Sequence, residues 1–306
     1  MEIYLPIAEM SVNGLLIIGL GIVMGMLSGI FGVGGGFAMT PILIFLGISP
    51  AIAVSTQANQ LVAASVSGTM AHSYRKNVDF KMGFVMLIGG GMGSILGVYL
   101  FHHLQKSGHI NQIISLFYIV ILTFVSGLML IESMRTIYRS KTAPTVFSLK
   151  PKHNPLHRLP LKMKFPRSKL YISALLPIGV GFVGGVLVAI MGIGGGFLLV
   201  PAMMYIVGMP VSTVAGTSLF QIIFSTAIVT FLQAATNHTV DVVLAALLLI
   251  GGVIGAQFGT RIGLLLKGEH MRVLLALLIL SVAIGLAMKI ALAPPEMFDV
   301  EMRGVE

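Results

Sequence analysis

The chain contains no cysteine, which excludes disulfides and thiolate metal sites. Charge is scarce as well. Only 9% of its 306 residues are charged, against about 25% in a typical soluble domain. So few charges cannot cover a water-exposed surface. With 56% hydrophobic residues and a mean hydropathy of +0.99, the composition marks an integral membrane protein. Acids are the scarcest charges: Glu2, Glu9, Asp79, Glu132, Asp241, Glu269 and four between 296 and 306. None is expected at mid-membrane depth. Cation-coupled transporters place a carboxylate there, so a cation cargo is disfavoured. There is no His/Asp/Glu cluster with metal-ligand spacing and no Ser-His-Asp arrangement. Nothing points to an enzyme, a cofactor or a bound metal. The N-terminus lacks a basic n-region, so it does not read as a cleaved signal peptide.

What is present is mostly apolar and duplicated. Apolar segments fall at about 13–31, 37–47, 51–73, 82–103 and 110–131, then at about 170–191, 197–208, 212–235, 240–266 and 271–292. Most have the roughly 20 residues a helix needs to cross a bilayer; the second and seventh are too short. Each is either a short tilted crossing or a half-helix that starts inside the membrane. Ten of the nineteen Lys and Arg lie between Arg135 and Lys169 with no acid among them. In a membrane protein this is a cytoplasmic loop under the positive-inside rule rather than a nucleic-acid patch. The expected organisation is a first repeat over 1–132, a basic cytoplasmic linker over 133–169, a second repeat over 170–293 and an acidic tail over 294–306. Loop charges place both termini outside. All loops agree if each half crosses five times, which inverts the second half relative to the first. The alternative, four crossings per half with re-entrant short segments, puts the loop at 75–81 and the basic linker on opposite sides. The fold class is thus an all-α polytopic bundle of two inverted repeats, with eight to ten transmembrane segments, two of them short or broken.

Two motifs recur across the halves. Gly32, Gly34, Gly35, Gly36, Phe37 and Pro41 spell GxGGGFxxxP, and Gly192, Gly194, Gly195, Gly196, Phe197 and Pro201 repeat it. Paired Gly-rich breaks in hydrophobic segments point to the binding site of a transporter. A helix N-terminus offers unpaired N–H donors and a partial positive charge, and glycine lets a ligand approach the backbone. Two such starts would suit an anion; equally, the glycines can serve close helix packing. A dinucleotide fold is excluded, since Phe37 stands where its last glycine belongs. The second motif is polar: Ser55, Thr56, Gln57, Asn59 and Gln60, matched by Thr217, Ser218 and Gln221. Thr56 and Gln60 share a helix face, as do Thr217 and Gln221. Buried amides and hydroxyls can bind an oxyanion or join helices. Arg261 can draw anions in or snorkel to the interface.

The two GxGGGF motifs, followed by Gly216-Thr217-Ser218-Leu219 and by Gly252, Gly255, Gly259, Thr260 and Arg261, resemble the sulfite exporter TauE/SafE family, also called the toluene sulfonate uptake permeases. The resemblance covers nearly the whole chain except the basic loop and the tails. It implies a bacterial inner-membrane transporter of sulfite, sulfonates or related organic anions. The chain departs from that family at Ser55-Thr56-Gln57-Ala58, which makes the two halves chemically unequal, and in its long linker. The expected function is alternating-access transport of a small anion, with the lipid bilayer and the substrate as partners. The expected contacts are Gly34, Gly35, Gly36, Pro41, Thr56, Gln57, Asn59, Gln60, Gly194, Gly195, Gly196, Pro201, Thr217, Ser218, Gln221 and Arg261. The rival readings are an anion channel and a membrane scaffold whose basic loop recruits a partner.

Overall fold

A computed structural model of the chain describes residues 2–31, 36–108, 110–140, 160–263 and 268–292. The first half opens with a hairpin, β1 (Glu2–Leu5) and β2 (Met10–Asn13), followed by α1 (Gly14–Phe31), α2 (Gly36–Phe45), α3 (Pro50–Tyr74), α4 (Phe80–Lys106) and α5 (Ile110–Ser140). The second half repeats this order: β3 (Lys162–Phe165), β4 (Leu170–Ser173), α6 (Leu175–Met191), α7 (Gly196–Ala202), α8 (Val211–Leu232), α9 (Val242–Ile262) and α10 (Gly268–Leu292). π-turns at Met203–Val207 and Gln233–Asn237 extend α7 and α8. Five helices are long and apolar enough to cross a membrane. Among the others, α3 has 25 residues, and its Ser, Thr, Gln and Asn content lowers its hydropathy. Large apolar side chains such as Leu15, Phe117, Phe124, Phe231 and Phe258 stand exposed around the bundle. That outer face suits lipid, and the helices satisfy their own backbone groups within it. The protein is a multi-pass membrane protein.

Glycine sets how closely the helices pack. A Cβ on Gly25 would lie 2.3 Å from the Gly252 carbonyl, and one on Gly29 would lie 2.4 Å from that of Ala256. These contacts climb α1 and α9 in the same direction, so the two helices are parallel. The contacts of Gly89, Gly93 and Gly97 with Ile178, Phe182 and Val186 make α4 and α6 parallel in the same way. Small residues let two backbones meet, and dispersion then holds them without a hydrophobic drive from lipid. In each pair one helix comes from each half.

Helix direction follows from further contacts. Thr239 and Asp241 bond Ser55 and Thr56, and Thr260 bonds Arg75, so α3 runs with α9. Gly216 meets Asn77 and Phe220 meets Gly83, so α8 runs with α4. Gly68 meets Leu219 while Gly216 meets His72, so α3 and α8 are antiparallel. Hence α1, α3 and α9 run one way, and α4, α6 and α8 the other. Because α1 and α3 point alike, the short α2 and its flanks carry the chain back between them.

The hairpins were not legible as strands, and residues 170–173 in particular read as the start of a helix. Leu170, Tyr171 and Ile172 continue the apolar run of α6 without a break, but they pair with Lys164, Met163 and their neighbours as β4. The hairpins sit at opposite ends of the bundle, each on the other half. Lys81 Nζ donates to the Lys164 carbonyl at 2.8 Å, and Arg167 donates to the Val78 carbonyl at 3.1 Å. The 75–81 loop and the end of the basic stretch therefore share one end.

Candidate functional site

The centre is built by α3 and α8. Ser49 and Pro50 start α3, with Pro at a first-turn position where its missing N–H costs nothing. Ser55, Thr56, Gln57, Gln60, Ser65 and Thr69 of α3 are buried, as are Thr217, Ser218, Gln221, Ser225 and Thr226 of α8. A polar group buried without a partner costs about 1–3 kcal/mol, so the partners decide what each one does.

Several expected contacts are structural. Thr56 Oγ1 accepts from the backbone N–H of Asp241 at 3.0 Å, and Thr217 Oγ1 accepts from that of Asp79 at 2.9 Å. Thr217 also donates to the Thr213 carbonyl at 2.7 Å. Gln60 Nε2 reaches the Gly21 carbonyl at 3.4 Å and lies where a Cβ on Gly252 would stand. Its counterpart Gln221 donates to Ser225 Oγ at 2.7 Å and fills the same place beside Gly90. Ser218 donates to the Ala215 carbonyl at 2.9 Å. Asn59 is half-buried. Arg261 is exposed in a side cleft between α3 and α9, away from the other expected residues.

Two of the acids expected away from mid-membrane depth stand at helix starts and are nevertheless buried. Asp79 and Asp241 are 1% and 0% exposed. Each caps a helix: Asp79 Oδ1 accepts from Met82 N–H at 3.1 Å, and Asp241 Oδ1 from Leu244 N–H at 3.0 Å. The other oxygen holds the hairpin tip of the opposite half. Asp79 Oδ2 accepts from the Ser168 N–H at 3.0 Å and its hydroxyl at 2.7 Å; Asp241 Oδ2 accepts from Ile7 N–H at 2.9 Å and Ala8 N–H at 3.3 Å. Both carboxylates are engaged as caps and latches. Their signal was present in the repeated Val78-Asp79 and Val240-Asp241. Also missed was a buried chain in which Gln233 donates to the Ala189 carbonyl at 3.3 Å and Asn237 links it to His102.

Gln57 differs from all of these. It is 1% exposed, and neither its amide nitrogen nor its amide oxygen has a partner. The second Gly-rich turn packs on the same face of α3. A Cβ on Gly192 would sit 2.5 Å from the Val54 carbonyl, and one on Gly194 would sit 3.0 Å from Leu61. Gln57 lies one helical turn from each. Gly192, Gly194 and Gly195 have φ of +65°, +75° and +66°, a region glycine enters without strain. Gly36, at the start of α2, lies against the Gly192 carbonyl and Ile193, so the two Gly-rich motifs touch. Gly34 and Gly35 fall outside the described residues. Gly196 opens α7, and Pro41 and Pro201 lie inside α2 and α7. Each proline removes an N–H and frees the carbonyl four residues earlier, at Phe37 or Phe197. Tyr118 of α5 donates to the Met191 carbonyl and anchors the approach to the turn.

Ser65, Thr69 and His72 continue from Gln57 along α3, and all have side-chain polar atoms without partners. Leu61, Gly68 and His72 mark this as the face toward α8 and the Gly-rich turn. The result is an uncharged polar stripe leading from the Gly-rich centre toward the end that carries Arg75, Lys81 and Lys164.

The family model described as Sulfite exporter TauE/SafE matches residues 17–286. "Probable membrane transporter protein YunE" of Bacillus subtilis is 28% identical over 252 residues, covering 80% of this chain and 85% of that protein. "Probable membrane transporter protein YjnA" of the same organism is 28% identical over 267 residues, or 86% and 96%. A "Probable membrane transporter protein" of Xylella fastidiosa is 27% identical over 254 residues, or 82% and 85%. No solved structure matches the chain significantly.

Proposed function

Since the chain belongs to the sulfite exporter TauE/SafE family, we propose that it is a secondary transporter whose cargo is a small oxyanion, sulfite or a sulfonate. The buried, unpartnered amide of Gln57 beside the Gly192–Gly195 turn carries this reading. Its Nε2–H groups are donors held away from water, and an oxyanion supplies the acceptor they lack. Backbone N–H groups at the Gly-rich starts of α2 and α7 would add donors without a fixed charge. An uncharged site binds an anion reversibly, whereas a buried arginine would hold it and require its own counter-ion.

α1, α3 and α4 run opposite to their counterparts α6, α8 and α9 in the second half, and each hairpin latches onto the other half. That supports two inverted repeats, which alternate access by rocking about a shared site. The acidic hairpin with Glu2 and Glu9 then faces outside the inner membrane, and the basic hairpin with Lys162, Lys164, Arg167 and Lys169 faces the cytoplasm. The site narrows to Gln57 with the glycines of both motifs. Thr56, Gln60, Thr217 and Gln221 act as the contacts that hold its walls.

The test is uptake of radiolabelled sulfite and sulfonates by vesicles containing the purified protein. A transporter speeds uptake when unlabelled substrate waits on the far side; a channel does not. Uptake unaffected by substrate on the far side, or no flux of any sulfur oxyanion, overturns the reading.

A further inference from the structure

The groove between α3 and α9 recurs, through the duplication, between α8 and α4, and the two copies differ in chemistry. The α8–α4 copy is a cleft of about 420 Å³ lined by Ile95, Ala227, Ile228, Phe231 and Leu232, all apolar. The α3–α9 copy is a cleft of about 640 Å³. Ser67 stands there where Ile228 does, and Gln257 where Ile95 does. Arg261 takes the place of Tyr99, and Arg75 and Thr260 complete the polar end. Ile228 and Ile95 show that the fold requires no polar group at the Ser67 and Gln257 positions, and Tyr99 shows that it requires no charge at the Arg261 position. Ala63, Val66, Met70 and Val253 keep the rest of the α3–α9 cleft apolar.

We propose that the α3–α9 cleft binds an anionic phospholipid, with Arg75 and Arg261 on the headgroup phosphate and an acyl chain along Ala63, Val66, Met70 and Val253. The cleft opens sideways: Val66, Met70 and Tyr74 are 38%, 55% and 84% exposed, on the face that meets lipid. Arg75 donates to the Thr260 carbonyl at 3.3 Å, which fixes its guanidinium and leaves further N–H groups for a phosphate. A planar guanidinium matches phosphate oxygens in a bidentate pair. The cleft lies at the end of the bundle that carries Lys81, Lys164 and Arg167, whose charges favour an anionic leaflet. A zwitterionic lipid would bring its own cation against two arginines. The proposal stands independently of the transported cargo.

The experiment is native mass spectrometry of the full chain released from detergent containing equimolar phosphatidylglycerol and phosphatidylcholine. The variant Gln257→Ile/Arg261→Tyr copies the apolar groove, whose side chains the fold already accommodates. Wild type retains phosphatidylglycerol in preference, and the variant loses that preference by about fivefold, the value of one interfacial arginine. Glycerol 3-phosphate, the headgroup fragment without acyl chains, does not displace the lipid. Equal retention of the two lipids by wild type overturns the proposal, as does a preference undiminished in the variant. Displacement by glycerol 3-phosphate assigns the arginines to a free small anion instead, and a dimer lost in the variant assigns the cleft to a second copy; either result overturns it.

Discussion

Thr56 Oγ1 accepts the backbone N–H of Asp241 across 185 residues of sequence, and Asp241 in turn holds the tip of the N-terminal hairpin. The second half returns the arrangement with Thr217, Asp79 and the Ser168 hairpin. Each half thus supplies the latch that closes the other, at opposite ends of one bundle.

Both latches depend on a carboxylate rather than an amide. In Asp241→Asn one terminal atom becomes a donor, and whichever way the amide turns, either the cap or the hairpin contact loses an acceptor. The expected loss is about 1–3 kcal/mol of stability, read as a lower unfolding temperature in detergent. Asp79→Asn should lose a similar amount, since its Oδ2 also accepts two latch bonds, one from a backbone N–H and one from the Ser168 hydroxyl. A neutral result at both positions would remove the latches from the account.

Glycine substitutions should divide by contact. Gly25→Ala and Gly185→Ala place a Cβ 2.3 Å and 2.2 Å from a facing carbonyl, an overpacking worth about 1–3 kcal/mol of destabilisation. Gly19 and Gly179 have nothing within 4 Å of an added Cβ. Alanine there should be neutral or stabilise by about 0.5–1 kcal/mol through helix propensity. Thermal unfolding of the four proteins checks the order.

The absence of cysteine makes orientation directly measurable. Tyr4→Cys and Lys164→Cys place single thiols on the exposed faces of the two hairpins. A membrane-impermeant maleimide applied to whole cells should label the first and spare the second until the membrane is opened. Labelling of both from one side would refute the inverted arrangement.

Much of this was written in the sequence. The duplication, the membrane-spanning runs and the paired Gly-rich breaks follow from composition and spacing, because lipid leaves few ways to satisfy a backbone. The central assignment was harder. Helical period places Thr56 and Gln60 on one face, but it does not say which of several neighbouring helices that face meets. In the fold they turn toward α9, while Gln57, about 100° around the helix from Thr56, lies between Val54 and Leu61 on the face that the Gly-rich turn covers. The hairpins hid for a different reason. Leu170, Tyr171 and Ile172 extend the apolar run of α6, and only pairing with a charged strand tells them apart from helix. Asp79 and Asp241 read as loop acids because their burial comes from hairpin tips more than 80 residues distant.

The most direct test of the central claim is sulfite uptake by vesicles containing Gln57→Met protein, measured beside its unfolding temperature. Methionine keeps the length of the side chain and removes an amide that the fold leaves unpartnered. The variant should be as stable as wild type or more so, while uptake falls about tenfold or more, the value of a lost hydrogen bond to an anion. Uptake at the wild-type rate by a folded Gln57→Met protein would contradict the account.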